Sequence, residues 1–128
     1  MKLSDDQTDS VSLSALGSEA VRLIKDARFE ELANRFGYAL AFGEEPATAI
    51  EDEIVRCLSG DGRAATLANA ASARISVKYF KPGESFFFAL VECFMPLMQD
   101  AGEILVELIV TSKGQEKYVC LEQISYAA

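Results

Sequence analysis

Residues 84–97 read ESFFFALVECFMPL, residues 103–111 read EILVELIVT and residues 116–126 read EKYVCLEQISY. Each stretch is rich in β-branched and aromatic residues and carries a glutamate at an interior position, which is typical of a two-faced strand. These interior glutamates are Glu92, Glu107 and Glu122. A carboxylate on an apolar sheet face is either a binding group or a liability for folding, so these three residues are the first candidate site residues.

Turn-forming residues separate these strands from one another and from a fourth strand upstream. The turns are Lys81-Pro82-Gly83-Glu84, Gln99-Asp100-Ala101-Gly102 and Ser112-Lys113-Gly114-Gln115. They predict an antiparallel meander of four strands. When each strand is folded about its turn, alternation places all three glutamates on one face and puts Arg74 and Lys78 on the other. The residues predicted to share the glutamate face are Ile75, Val77, Tyr79, Phe86, Phe88, Leu90, Glu92, Phe94, Leu105, Glu107, Ile109, Tyr118, Cys120, Glu122 and Ile124.

The residues before the strands show helical periodicity. Apolar residues from Leu16 to Ile24 recur every three or four positions, which predicts a first helix on one side of the domain. Ser12 or Ser14 is the expected cap of this helix, which should end near Ala27.

Two further helices are predicted before the sheet. One spans residues 29–36 and ends at Gly37, and the other begins at Pro46 and ends before Gly60. Two segments stay open: residues 38–43 (YALAFG) are a buried loop or a short strand, and residues 63–73 are a helical turn or a loose crossing into the sheet.

Helices followed by strands are the pattern of an α+β domain whose helices pack on a curved antiparallel sheet. At 128 residues the chain is expected to form a single domain, 1–128, with the polar residues 1–9 frayed. Both faces of the predicted sheet are apolar, whereas three helices can cover only one. This predicts a homodimer or a hetero-complex through the sheet; the alternative is a strongly curved sheet that helices and loops cover fully.

The chain carries 20 acidic and 12 basic residues, a formal net charge of −8. Such a charge repels a phosphate backbone, so nucleic acid is not expected as a ligand, but it favours a basic protein partner. The acidity lies in residues 1–64, which hold 13 acids against 7 bases. One stretch there has no base, and its acids are Glu44, Glu45, Glu51, Asp52 and Glu53. It is interpreted as either a solvated helix face or a docking patch for a cationic partner.

Cysteine and histidine usage argues against metal and nucleophile chemistry. Cys57, Cys93 and Cys120 are far apart in sequence, and the chain has no histidine to complete a zinc site or to activate a nucleophile. No catalytic residues, cofactor or metal are therefore predicted. The stretch MKLSDDQTDS lacks a signal-peptide core, and no apolar run approaches the roughly 20 residues of a membrane span. A cytoplasmic protein with no membrane partner is expected.

The order of elements resembles a known group. Helices ending near FGYALAFGEEPATAIEDEIVRCL (residues 36–58), followed by a long meander, look like the nuclear-transport-factor-2-like superfamily of cone-shaped α+β domains. The resemblance covers about residues 12–126 and rests on element order rather than on a motif. It implies either a small-molecule binder or isomerase/dehydratase-type enzyme, or a non-catalytic binding protein.

The two functions make different demands on the candidate residues. An enzyme would use a pocket carboxylate among the strand glutamates, with Tyr79 and Tyr118 as phenolic donors. A binding protein needs only acids placed among aromatic residues, which can receive lysine or arginine side chains. Because no catalytic set is visible, binding is favoured, and by analogy the chain resembles an immunity protein that neutralises a basic bacterial toxin domain by stoichiometric binding.

Overall fold

The computed structural model describes residues 1–83 and 86–128. Within these residues lie the helices α1 (Ser10–Lys25), α2 (Phe29–Phe36) and α3 (Pro46–Ser59). The strands are β1 (Lys2–Leu3), β2 (Thr66–Leu67), β3 (Arg74–Tyr79), β4 (Phe87–Met98), β5 (Glu103–Lys113) and β6 (Glu116–Ala127). The chain is an α+β protein with its helices before a strongly curled antiparallel sheet, which confirms the predicted fold class at that level.

The start of α1 differs from the prediction. Asp9 is the cap, and its carboxylate accepts a hydrogen bond from the backbone N–H of Ser12 at 3.2 Å. Neither Ser12 nor Ser14 caps the helix, because Asp9 offers a carboxylate to the free N–H groups one turn earlier.

The other two helices have the predicted positions. α2 ends at Phe36, and Gly37 follows with φ 71°, a left-handed value that glycine adopts without strain. α3 has Pro46 in its first turn, where no backbone N–H is needed, and Gly60 follows its last residue.

The sheet has the strand order β1–β6–β5–β4, and the remaining edge of β4 is shared by β3 and β2. All of these pairs are antiparallel. The turns predicted around Asp100 and Gly114 connect β4 to β5 and β5 to β6. The turn predicted at residues 81–84 includes Glu84, which lies outside the described residues.

One face of the sheet, called here the covered face, packs against the helices and forms the core. The strand residues of this face are each at most 2% exposed, and they pack with Leu13, Leu23 and Ile50 of the helices. They are Ala89, Val91, Cys93, Met95, Ile104, Val106, Leu108, Val110, Val119, Leu121 and Ile124. The helices therefore cover one sheet face and leave the other uncovered.

Residues 1–9 are ordered, contrary to the prediction that they fray. β1 pairs with β6, Leu3 is 4% exposed, and the Met1 ammonium donates a hydrogen bond to the carbonyl of Val119 at 3.0 Å. A strand of two residues is too short to show alternation, so the pattern could not reveal it.

The predicted faces are wrong for β3. Phe80 donates its backbone N–H to the carbonyl of Phe88 at 2.9 Å, so the connection between β3 and β4 is longer than the predicted four-residue turn. The register moves by an odd number of residues, which exchanges the two faces of the strand. The residues that move to the covered face are Ile75, Val77 and Tyr79, and those that move away from it are Arg74 and Lys78.

Two β-bulges interrupt the alternation elsewhere. One lies at Phe88, which packs against the core instead of beside Leu90. The other places Glu122 as the extra residue of β6 and turns Ile124 onto the covered face, contrary to the prediction. The pairs that flank this second bulge are Glu107 with Gln123 and Leu108 with Leu121.

The segments left open by the sequence are connections. Residues 63–73 cross into the sheet through β2, with a single 3₁₀ turn over Ala70–Ser72. Residues 38–43 form turns, and Ala39 donates its N–H to the Leu121 carbonyl at 2.9 Å. In the described part of the chain, no helix combines the length and the apolar content that a membrane crossing requires.

Candidate functional site

The sheet face turned away from the helices is called here the open face. Its apolar side chains are mostly half-buried by their strand neighbours, and Ile109 is 7% exposed. These apolar residues are Leu90, Phe94, Leu105, Ile109, Tyr118 and Cys120. Charged side chains interrupt the centre of this surface, namely Arg74, Lys78, Glu92, Glu103, Glu107 and Glu122, and its β1 end, namely Lys2, Lys113 and Glu116.

Glu92 and Glu107 lie directly opposite each other on β4 and β5. Burial raises the pKa of Glu107, the charges of Glu92 and Glu122 raise it further, and Lys78 opposes them. Like charges placed opposite each other destabilise a sheet. The fold therefore holds this negative charge at a cost in stability.

The two open-face cations that β3 contributes are already paired. Lys78 contacts Glu92 at 2.8 Å, and Arg74 binds both carboxylate oxygens of Glu103 at 2.7 and 2.8 Å. Across residues 1–83 and 86–128, no salt bridge forms to Glu107 or Glu122. The centre of the open face is thus short of positive charge.

The two tyrosines predicted for the site lie on different faces. Tyr118 is on the open face and donates its hydroxyl hydrogen bond to Glu116. Tyr79 is on the covered side, where its hydroxyl donates to the carbonyl of Thr8 at 2.8 Å. The structure therefore places Tyr118 on the face of the strand glutamates, opposite Thr111, and Tyr79 on the other face.

The acidic stretch at the start of α3 is on the other side of the sheet, because α3 packs on the covered face. Glu45 caps the helix and accepts hydrogen bonds from the backbone N–H groups of Ala47 at 3.2 Å and Thr48 at 3.0 Å. Glu53 forms a salt bridge with Arg56. The remaining acids of the stretch are exposed and form no salt bridge with any described residue; they are Glu44, Glu51 and Asp52.

Two adjoining surface grooves lie among the helices, and the strand glutamates line neither of them. The first, of about 700 Å³, lies between α2 and α3, and its lining includes Glu45 and Glu51. Its lining also includes Glu30 and Glu31, which sequence reasoning missed. Both acids lie in the first turn of α2, and this position in the sequence could have marked them as site candidates. The second groove, of about 430 Å³, is mostly apolar.

Two of the three thiols are protected by burial. Cys57 and Cys93 are buried free thiols, and burial raises the pKa of Cys57 to about 11 and that of Cys93 to about 12. Within the described residues, no three histidine, cysteine or acidic side chains come together to hold a metal ion. Carboxylates set among apolar groups on the open face have the chemistry to bind an organic cation.

Comparisons with protein-family models, with curated proteins and with solved structures find no match to this chain, so its geometry carries the functional argument.

Proposed function

We propose that this chain is a non-catalytic binding protein that receives a basic protein partner on its open face in a one-to-one complex. The observation that supports this most is the pair of half-buried carboxylates, Glu107 and Glu122, which form no salt bridge with any described residue. An arginine or lysine of a partner would supply the missing charge and relieve the repulsion between neighbouring glutamates.

The surroundings of these carboxylates suit long cationic side chains. Phe94 and Leu105 lie opposite each other next to Glu92 and Glu107, and both are half-buried. Arginine and lysine bury their aliphatic stems on apolar surface while their charged heads reach acids. Aromatic residues beside a desolvated charge pair are typical of the residues that dominate binding energy.

The charge balance of the open face disfavours a second copy as its occupant. Lys78 and Arg74 already pair with Glu92 and Glu103. A face-to-face dimer would bring the unpaired glutamates of two copies into one interface while both β3 cations are already engaged, which costs desolvation energy. A basic partner avoids that cost, so the homodimer through the sheet faces is not the form we propose.

In its finer form, the proposal is that the partner is a bacterial toxin domain and that this chain is its cytoplasmic immunity protein. The net charge of −8 supports a basic partner. For that role we propose the nuclear-transport-factor-2-like fold type, because this chain has helices followed by a curled antiparallel sheet. The exposed acids at Glu44, Glu51 and Asp52 would steer the partner without contacting it.

Isothermal titration calorimetry with a short peptide that alternates arginine and leucine tests this proposal. The double variant Glu107→Gln with Glu122→Gln should bind at least about tenfold more weakly than the wild type, a loss of about 1.4 kcal/mol. The matched control Glu51→Gln with Asp52→Asn makes the same change in net charge on the helical side and should bind almost as well as the wild type. Equal losses in both variants would reject the open face as the binding surface.

The enzyme alternative has its own outcome. If the protein turned over a small molecule and Glu107→Gln abolished that turnover while folding persisted, the raised pKa of Glu107 would instead serve a general base. That result would replace the binding proposal.

A further inference from the structure

The outer edge of β3 has no neighbouring strand among the described residues. β3 pairs only with β4, and β2 joins the far end of the same β4 edge rather than β3. The hydrogen bond from Phe80 N–H to the Phe88 carbonyl shows which alternate residues of β3 direct their backbone groups toward β4. Since antiparallel pairs alternate, the backbone groups that point away from β4 belong to Ile75, Val77 and Tyr79.

These outward groups have no hydrogen-bond partner elsewhere in residues 1–83 and 86–128. A row of unpaired N–H and C=O groups is a template for another strand. We propose that the β3 edge pairs antiparallel with β3 of a second copy, about a two-fold axis at Val77, to give a dimer with one continuous sheet. Such an isologous contact must be self-complementary, and the strand sequence allows this to be tested register by register.

Charge rejects the neighbouring registers. A two-fold axis at Ser76 would place Arg74 opposite Lys78 of the second copy, and an axis at Lys78 would place that lysine opposite itself. Like charges directly opposite each other destabilise a sheet. An axis at Ile75 or Tyr79 avoids these clashes but pairs fewer residues of the six-residue strand.

The axis at Val77 removes both problems. On the covered side, Val77 faces its own copy and Ile75 faces Tyr79, which is 49% exposed in the single chain. On the open side, Ser76 faces Lys78, and Arg74 faces Phe80, which is 39% exposed. Apolar and aromatic side chains are thereby covered, and cations meet a hydroxyl or an aromatic ring.

This edge-to-edge dimer does not use the proposed partner site, because the open faces of both copies remain free. The dimer and the complex with a basic partner should also respond to salt in opposite ways. Each chain carries a net charge of −8, so salt should strengthen the dimer by screening repulsion, whereas salt should weaken binding of a basic partner to the open face. Failure of one proposal therefore leaves the other standing.

Cysteine cross-linking tests the register. In the proposed dimer the two Val77 Cα atoms are roughly 5.5 Å apart, within disulfide reach, so Val77→Cys should form a covalent dimer under mild oxidation. Ser76→Cys and Lys78→Cys are the controls, since each would lie about 7 Å or more from its own copy, beyond disulfide reach. Equal cross-linking at all three positions, or none at Val77→Cys, would overturn the proposal.

Sedimentation of the full chain, across protein and salt concentration, is the second measurement. The wild type should dimerise and should do so more strongly in high salt. Val77→Pro removes an outward N–H that makes no bond within the chain, so it should keep its fold, shown by thermal unfolding, and associate at least about tenfold more weakly. A wild type that stays monomeric throughout, or a dimer that persists in Val77→Pro and disappears in Glu107→Lys, would contradict the edge interface.

Discussion

Glu92 and Glu107 stand directly opposite each other on β4 and β5, and Lys78 forms a salt bridge with Glu92 at 2.8 Å, whereas no described residue forms one with Glu107. The neighbouring position in β6 is a bulge at Glu122, and the charge of Glu122 also raises the pKa of Glu107. A sheet selected only for stability would avoid this arrangement, because like charges opposite each other are unfavourable. The retained charge is consistent with a contact that a partner completes.

Glu107→Gln is expected to stabilise the isolated protein by about 0.5 kcal/mol at neutral pH, since it removes a like-charge pair. The folded-state pKa of Glu107 lies above its ordinary value, so the ionised group lowers stability as pH rises through the raised pKa and costs nothing below the unfolded value. The advantage of the variant should therefore vanish as the pH falls to about 4. Urea unfolding at both pH values measures it.

Glu103→Gln is the control for that experiment. It removes an open-face carboxylate that already binds Arg74 through two oxygens, so it should give no gain in stability. An equal gain from both substitutions would show that general net charge, rather than the Glu92–Glu107 pair, is responsible.

Gly17→Ala should destabilise the fold by about 1–2 kcal/mol, although alanine is the better helix former. A methyl group at Gly17 would lie 3.0 Å from both Cys93 Sγ and Val91 Cγ1, and 3.1 Å from Ile75 Cγ2. Two of these neighbours are β-branched and cannot easily move aside.

The exposed neighbour Ser18 provides the comparison for Gly17. Ser18→Ala should leave the free energy of unfolding within about 0.5 kcal/mol of the wild type in the same urea experiment. If Gly17→Ala were as stable as Ser18→Ala, the close packing of α1 on β3 and β4 would be wrong.

Local signals explain how much of this structure the sequence could predict. Pro46 and the glycines at positions 37 and 60 mark helix ends by their own backbone preferences, so α2 and α3 were found almost to the residue. The turn around Asp100 is short, so alternation alone placed Glu92 and Glu107 on one face.

The sequence predictions were wrong where contacts between residues far apart in the chain determine the structure. The connection after β3 is longer than its turn motif, which exchanged the faces of Tyr79 and Lys78 and hid the salt bridge to Glu92. The pairing of β1 with β6 joins residues more than a hundred positions apart, and no local pattern encodes it. The Glu122 bulge was also missed, because strict alternation leaves no place for an extra residue in a strand.

Glu45→Ala should lower the midpoint of thermal unfolding, because the carboxylate caps α3 through the N–H groups of Ala47 and Thr48. These hydrogen bonds lower the pKa of Glu45. Its contribution is therefore present above the unfolded pKa and is lost as the pH falls through the lower, folded-state value. The exposed Glu44→Ala variant should show neither effect in thermal unfolding, and a similar loss there would remove the capping role.

The exposed helical acids should control the rate of association rather than the lifetime of the complex. Charge reversal at Glu44, Glu51 and Asp52 should slow binding of the basic peptide several-fold, to about a third or less, with little change in its dissociation rate. Stopped-flow kinetics at low and high salt should show the difference shrinking as salt is added. A faster dissociation rate as the main effect would place these acids in the contact itself.

Binding at the open face is tested most sharply by an amide chemical-shift map of the wild-type protein during titration with the peptide that alternates arginine and leucine. If the partner binds the open face, we expect saturable shifts centred on Glu92, Glu107 and Glu122 and on their open-face neighbours Phe94 and Leu105, with much smaller changes at α2 and α3. A peptide that alternates glutamate and leucine should cause none of them. Shifts confined to the groove between α2 and α3, or no saturable shifts with the arginine peptide, would contradict the assignment of the open face as the binding surface.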